Sequence, residues 1–214
     1  MSSNSVLAPA PTDIRFDDGD PASGLPPAQL GQNQTAGLGL LVGYDTRDNI
    51  FTPNRGVLAE LEAMFHDGSW IGDFTYQKYR AAALFYWDPH PKWVLGWRLD
   101  GRFVNGDPPF YALPFIDLRG IPAMRYQGED VLVTEVEARW NFSGRWTLVG
   151  FTGVGAAEDS LDDLIGSGDR DLRHTYGAGA RYLIARRLGM QAGIDLARGP
   201  EDTVIYLQFG SAWQ

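Results

Sequence analysis

Residues 93–103 read WVLGWRLDGRF, and this stretch indicates the fold most clearly. Large apolar residues alternate with charged ones along it: Trp93, Leu95, Trp97, Leu99 and Phe103 against Arg98, Asp100 and Arg102. Successive side chains of an extended strand point to opposite faces of a sheet, so this spacing predicts a β-strand with one apolar and one charged face.

Similar segments of about ten residues follow one another along the chain, separated by turn residues. They lie at residues 37–45, 57–65, 78–87, 131–140, 146–155, 173–184, 190–197 and 203–213. The two faces of 146–155 are ambiguous, whereas in 203–213 we expect Ile205, Leu207, Phe209 and Trp213 to share the apolar face. The sequence therefore predicts an all-β, antiparallel, up-and-down protein with nine candidate strands.

Periodicity alone does not separate a soluble β-sandwich from a membrane barrel, because both have one apolar face. Two features favour the transmembrane barrel. Aromatic residues lie near the ends of the apolar faces, as in an interfacial girdle: Trp87, Trp93, Trp140, Tyr182 and Trp213. The connections also alternate between short (88–92, 141–144, 185–187) and long (106–130, 156–171), as in outer-membrane barrels.

The chain divides into two regions. Residues 1–35 contain five prolines and predict an irregular tail or loop, and residues 36–214 form the predicted barrel domain. Residues 1–30 contain no basic segment followed by an apolar one, as an export signal would. Because an outer-membrane protein needs such a signal, the sequence favours a trimmed chain or a fragment.

Charge and motif content exclude several functions. The formal net charge of −9 argues against a nucleic-acid partner, which requires a basic surface. The three histidines are scattered without metal-ligand spacing, and there is neither a phosphate-binding loop nor a Gly-x-Ser-x-Gly motif. We therefore expect no enzymatic activity, no metal and no cofactor.

Residues 45–56, DTRDNIFTPNRG, predict a structured turn at the end of a strand. Asp45, Arg47 and Asp48 can pair locally, Pro53 fixes φ, and Gly56 can begin the next strand from an unusual dihedral angle. The segment lacks the spacing and the closing Glu of a calcium loop, which disfavours a metal site.

This turn precedes a long Gly/Pro/aromatic stretch that ends in LRG at residues 118–120, and the chain closes with IYLQFGSAW. The order of these motifs over about residues 36–213 resembles the C-terminal barrel half of the BamA/TamA-type (bacterial surface antigen) superfamily. The resemblance implies part of a sixteen-stranded outer-membrane barrel that inserts or translocates other proteins. Here about 8–10 strands are expected.

The resemblance also implies a clamp between a long loop and the barrel wall. The loop is 106–130, its tip is Arg119-Gly120, and Glu135 and Glu137 on the following strand are the expected acidic partners. In this family the next strand carries Phe-x-Asp-x-Gly, but Gly153 stands in place of the aspartate. An arginine and a carboxylate form a charge-assisted pair that suits such a clamp, although Arg119 could instead be a solvated loop residue.

At the C-terminus, the resemblance implies that Tyr206, Phe209 and Trp213 form an assembly signal; an ordinary edge strand is the alternative. Nine strands do not close an up-and-down barrel that has both chain ends on one side. The chain could therefore be a fragment, a small barrel of about eight strands with one segment used as a loop or plug, or half of a homo-oligomer.

Three functions remain. The first is assisted insertion or translocation of client proteins at the bacterial outer membrane, with the lipid bilayer and those clients as partners. The second is a passive channel or structural barrel without insertase activity. The third is a soluble β-sandwich binding module.

Overall fold

The computed structural model describes residues 35–71, 73–159 and 171–213. The predicted tail lies outside these ranges except for residue 35, as do residues 160–170 of the predicted second long loop. Nine strands are described: β1 (Gly37–Asp45), β2 (Gly56–His66), β3 (Tyr76–His90), β4 (Trp93–Gly106), β5 (Asp130–Asn141), β6 (Trp146–Glu158), β7 (Arg173–Ala185), β8 (Met190–Arg198) and β9 (Thr203–Phe209). A four-residue helix, α1 (Gly68–Ile71), lies between β2 and β3.

All nine strands form one antiparallel sheet in the order β1 to β9, so each strand pairs with its neighbours in sequence. The β4–β5 register places Arg98 opposite Glu135 and Trp97 opposite Val136. The all-β up-and-down fold is confirmed. The alternative of a small barrel that uses one segment as a loop or plug is wrong, because all nine segments join the sheet. Within the described residues β1 and β9 are the two free edges and do not pair, so the sheet is an open part of a barrel wall.

The two faces of the sheet have the predicted chemistry. Large apolar side chains point outward and stay exposed, among them Trp97 at 46% and Ile205 at 69%. The other face buries charged side chains: Asp100 and Glu135 are each 1% exposed. A soluble sandwich would bury the apolar face of its sheet against a second sheet. Here the described residues form one sheet with its apolar face outward, which excludes the sandwich alternative.

The antiparallel order separates the connections into two ends. Connections 46–55, 91–92, 142–145 and 186–189 share one end of the sheet, called here the short-turn end. Connections 67–75, 107–129 and 199–202 share the other, the long-loop end. The long 107–129 loop contains a 3-10 turn (Phe110–Ala112) and packs onto the concave face, where apolar loop residues meet β5. Within the described ranges, no helix has the length and apolar character to cross a bilayer.

The C-terminal strand differs from the prediction. It ends at Phe209, because Gly210 adopts a φ of 79° and its N–H donates to the carbonyl of Gln191 (2.7 Å). The chain then turns inward. Trp213 is 4% exposed and packs against Leu84 and Tyr86, so its predicted place on the outer face is wrong.

Candidate functional site

The site is built around the 107–129 loop, which returns on itself as a narrow hairpin. Phe115 forms an isolated antiparallel bridge with Gln127, and the N–H of Ile116 donates to the carbonyl of Tyr126 (3.0 Å). The tip is closed by a hydrogen bond from the N–H of Ile121 to the carbonyl of Leu118 (3.1 Å). These backbone bonds place the Arg119-Gly120 pair at the tip of the loop, against the inner face of the sheet.

Arg119 contacts three carboxylates from two distant strands. Its Nε donates to Glu135 Oε1 (2.7 Å), and its Nη1 donates to Asp195 Oδ2 (3.1 Å). Nη1 also lies 2.8 Å from Glu137 Oε2 as an ion pair, without hydrogen-bond geometry. Arg119 is 7% exposed, so the pairs are shielded from solvent. The loop tip thus joins β5 to β8. Asp195 on β8 is 76 residues from Arg119 along the sequence.

Two more arginines balance these charges. Arg181 Nη2 donates to Asp195 Oδ2 (2.7 Å), and Arg181 Nη1 bonds to the other oxygen of the same carboxylate. Arg139 Nε lies 3.8 Å from Glu137 Oε1. The buried cluster therefore contains three arginines and three carboxylates and has no net charge. We call it the clamp: Arg119, Arg139, Arg181, Glu135, Glu137 and Asp195. Neutrality matters because an unpaired buried charge costs several kcal/mol.

Aromatic rings complete the surroundings of Arg119. The centre of the Phe151 ring lies 3.5 Å from the guanidinium carbon, and Trp213 Nε1 donates to Glu135 Oε2 (2.9 Å). The cation–π contact covers one face of the planar guanidinium, whose N–H groups donate to the carboxylates in the plane of the group. The inward turn of the C-terminus therefore gives Trp213 a partner in the clamp itself.

Two residues explain how the clamp forms although β6 has Gly153 where the resemblance implies an aspartate. An ideal Cβ at Gly153 would lie 2.7 Å from Leu118 Cδ2, so the loop's own leucine occupies the space in front of this position. Asp195 on β8 provides the further carboxylate instead. The sequence analysis did not identify Asp195, since nothing in its local pattern distinguishes it from the other charged residues of the strands.

Position 120 has no room for a side chain, so it must be a glycine. Its φ is 96°, and an ideal Cβ would lie 2.9 Å from the backbone nitrogen of Gly199 in the β8–β9 connection. Its N–H donates to the hydroxyl of Tyr206 (2.9 Å) on β9. The loop tip therefore approaches the last two strands through backbone contact. Tyr206 faces inward, whereas Phe209 is 65% exposed on the outer face.

A second ionic group holds the loop from its other side. Asp117 Oδ2 accepts from Arg98 and Arg102 on β4, each at 3.1 Å. Both arginines also donate to Asp100, as does Arg80 on β3. Asp117 and Arg119 thus bind opposite charges on different strands, which fixes the loop between β4 and β5. Sequence reasoning did not identify Asp117.

A third contact lies at the long-loop end. Arg125 Nη2 donates to Glu201 Oε1 (2.8 Å), and the Tyr126 hydroxyl donates to the same oxygen (2.7 Å). The hydrogen bond from Arg125 and then that from Tyr126 lower the pKa of Glu201 below its ordinary value. The side chains of Arg125 and Glu201 are 52% and 44% exposed, so this pair holds the loop weakly compared with the clamp.

The predicted turn motif is a compact structure. Arg47 Nη2 donates to Asp45 Oδ2 (2.9 Å), and Asp48 Oδ1 accepts from the backbone N–H groups of residues 54 and 55 (2.8 and 3.2 Å). Gly56 has a φ of 107°, and an ideal Cβ there would lie 2.4 Å from the carbonyl oxygen of Thr46. These contacts explain why the connection folds as one unit.

The motif also reaches across the short-turn end. The buried Pro53 offers its carbonyl to Arg139 of the clamp. Asn49 Nδ2 donates to the carbonyl of Leu188 in the β7–β8 turn (2.8 Å). The β1–β2 turn therefore contacts both the clamp and the far side of the sheet. In the described ranges, no group of three or more His, Cys, Asp or Glu has the geometry of a metal site.

One curved antiparallel sheet with an apolar outer face and a loop anchored by charges on its inner face defines the wall of an outer-membrane β-barrel. The chain belongs to the Omp85 superfamily, because the model of the Omp85 superfamily domain matches residues 4–117. This range extends into the 107–129 loop and confirms the resemblance inferred from the motifs.

A solved structure supports the fold. The chain is similar to BamA from Haemophilus ducreyi lacking POTRA domains 1-3, with a TM-score of 0.62 and 14% sequence identity. The similarity covers 82% of this chain and 41% of that one, so the chain spans less than half of its structural relative. No curated protein matches the sequence.

Proposed function

We propose that this chain works at the bacterial outer membrane as a barrel wall that assists the insertion or translocation of client outer-membrane proteins. The observation that carries the proposal is the clamp, in which the loop tip joins β5 to β8 through a buried, electrically neutral set of charges. The proposal requires the lipid bilayer and a client as partners and no cofactor or enzymatic step.

The clamp supports this function because it couples the loop to the shape of the wall. Asp117 binds β4, Arg119 binds β5 and β8, and Gly120 binds β9. A change in the curvature of the sheet would separate these strands and break buried charge pairs. The loop therefore ties the last strands to the centre of the wall, next to the free edge of β9.

The free edges give the second argument. Every residue of β1 is exposed, and its outer edge has no neighbouring strand within the described residues. Unpaired backbone groups are not tolerated in lipid, so the edge must bind another strand. A client strand, a second copy or another part of the same protein can each fulfil this requirement, and the first is the step needed for assisted insertion.

The test compares variants of the full chain reconstituted in lipid vesicles. A urea-denatured small barrel serves as client, and its folding is followed by the heat-dependent shift of folded barrels in gels. We expect Arg119→Ala to slow client folding several-fold. The double variant Arg119→Gln/Glu137→Gln removes the loop contact while keeping the cluster neutral, so it provides a variant with less risk of misfolding. Arg125→Ala, at an exposed pair, is the control expected to keep the wild-type rate.

Unchanged client folding in both clamp variants would refute the role of Arg119. If the wild-type chain does not accelerate the client but conducts ions in planar bilayers, the chain is a passive channel. The clamp variants would then change conductance instead of insertion.

A further inference from the structure

Three arginines lie on two adjacent turns at the short-turn end. Arg145 directly precedes β6, and Arg186 and Arg187 directly follow β7. Strands β6 and β7 pair, with Trp146 opposite Tyr182, and the N–H of Leu183 donates to the carbonyl of Arg145 (2.8 Å). The two turns are therefore next to each other. We call their three arginines the arginine patch.

The two turns that carry the arginine patch, and the strand ends beside them, contain no acidic residue. Residues 141–150 and 181–194 contain neither Asp nor Glu. All three arginines are exposed, and Arg145 Nη1 donates to the Tyr182 hydroxyl (2.8 Å) and not to a carboxylate. Elsewhere at the same end, Arg55 Nε lies 2.6 Å from Asp88. Within the described residues none of the three arginines forms an ion pair, whereas Arg55 does.

Apolar side chains border the arginine patch on the outer face. They are half exposed and continue the apolar belt of the sheet: Phe142, Trp146, Leu148, Ile184 and Leu188. Trp146 packs edge-on against Tyr182, with ring centres 5.0 Å apart. Aromatic residues in this arrangement lie at the level of lipid headgroups. The arginines are therefore positioned where acyl chains end and headgroup phosphates begin.

The connections described at the long-loop end carry a net negative charge. Connections 67–75, 107–129 and 199–202 contain two, three and two acidic residues, against two arginines in all three. Both of those arginines, Arg119 and Arg125, are bound to carboxylates. An anionic lipid would therefore be repelled at the long-loop end and attracted at the short-turn end.

We propose that Arg145, Arg186 and Arg187 bind the headgroup phosphate of an anionic phospholipid, whose acyl chains lie against Trp146 and Ile184. This inference rests on the proposed function only in that the chain spans a membrane. Short turns of outer-membrane barrels face the periplasm. The lipid therefore comes from the periplasmic leaflet, and the arginine patch anchors the β5–β8 part of the wall in it.

Lipid selectivity measures this binding directly. The full chain is reconstituted in phosphatidylcholine vesicles that contain a trace of spin-labelled phosphatidylglycerol or spin-labelled phosphatidylcholine. Electron paramagnetic resonance gives the fraction of each label that the protein immobilises. We expect about five-fold preference for phosphatidylglycerol at low salt, which corresponds to about 1 kcal/mol for a cation near an anionic headgroup. High salt should lower the preference, since exposed charges are screened.

The triple variant Arg145→Gln/Arg186→Gln/Arg187→Gln should lower this preference to nearly one. A matched control removes the same charge outside the arginine patch: Arg55→Gln/Lys92→Gln/Arg198→Gln. The control should keep the five-fold preference. Equal loss in both variants would mean that net charge and not the arginine patch selects the lipid, and would overturn the proposal.

Two further outcomes separate the hypotheses. If phosphatidylcholine is immobilised but phosphatidylglycerol is not preferred, the arginine patch fails while the membrane barrel stands. If neither label is immobilised, the chain does not span the bilayer and the proposed function fails. Glycerol phosphate at matched ionic strength should not abolish the preference; if it does, the patch is a site for free phosphate and the lipid assignment is wrong.

Discussion

The substitution Asp195→Asn tests the clamp most directly, because Asp195 is fully buried and bonds to both Arg119 and Arg181. Asparagine keeps the shape of the side chain but removes its charge, so three arginines face two carboxylates. Removing one partner of a buried ion pair costs about 3–5 kcal/mol. We therefore expect the free energy of unfolding to fall by about that amount.

Unfolding in urea, with the chain in vesicles and its tryptophan fluorescence as the signal, measures this loss. A second substitution, Arg181→Gln, restores equal numbers of charges in the Asp195→Asn background. The double variant should lose less than the sum of the single variants, with a coupling energy of about 1–3 kcal/mol. A loss below about 1 kcal/mol in Asp195→Asn, or additive effects in the cycle, would contradict a buried neutral clamp.

Three further predictions follow from the faces and contacts of the sheet. Trp97→Arg should destabilise the chain in vesicles by about 2–4 kcal/mol if Trp97 faces the middle of the bilayer, as unfolding in urea would measure, whereas a loss below about 1 kcal/mol would contradict it. Trp213→Phe removes the donor to Glu135 and should cost about 1–3 kcal/mol in the same assay; an unchanged midpoint would contradict the inward position of the C-terminus. Glu201 has a lowered pKa, so its stabilisation of the loop is fully present above the ordinary carboxyl pKa and is lost as pH falls through the lowered value. Hydrogen exchange at residues 122–127 should therefore be slower in the wild type than in Glu201→Gln at neutral pH and equal in both at low pH, and a difference that persists in acid would refute the Arg125–Glu201 contact.

The strands could be predicted because alternation is a local property. The predicted segment 93–103 begins where β4 begins and ends three residues before β4 ends, and 37–45 matches β1. The ambiguous faces of β6 also have a local explanation. Val149 and Phe151 point inward, whereas Leu148 points outward, so both faces of this strand contain apolar residues.

The errors came from contacts between distant parts of the chain. Alternation predicted Trp213 on the outer face. The strand ends before Gly210, whose φ is positive, and Trp213 therefore lies on the inner side of the sheet. Asp195 was not recognised as a partner of Arg119 because 76 residues separate them. Only the curvature of the sheet brings β8 over the loop tip, and curvature leaves no signal in the spacing of residues along one strand.

The anchoring of the 107–129 loop combines two kinds of contact that have different consequences. Ile116, Leu118 and Ile121 bury apolar surface against β5, and such contacts hold the loop without fixing its exact position, since the hydrophobic effect has no direction. The clamp adds less net stability than apolar packing of the same size, but a shift of Arg119 would leave buried charges unpaired. Leu118 connects the two, because it fills the space in front of Gly153 and so leaves Asp195 as the remaining carboxylate partner across the sheet. Compared with the Phe-x-Asp-x-Gly pattern that the resemblance implies for β6, a carboxylate on β8 places the loop's ionic contact two strands closer to the free edge of β9.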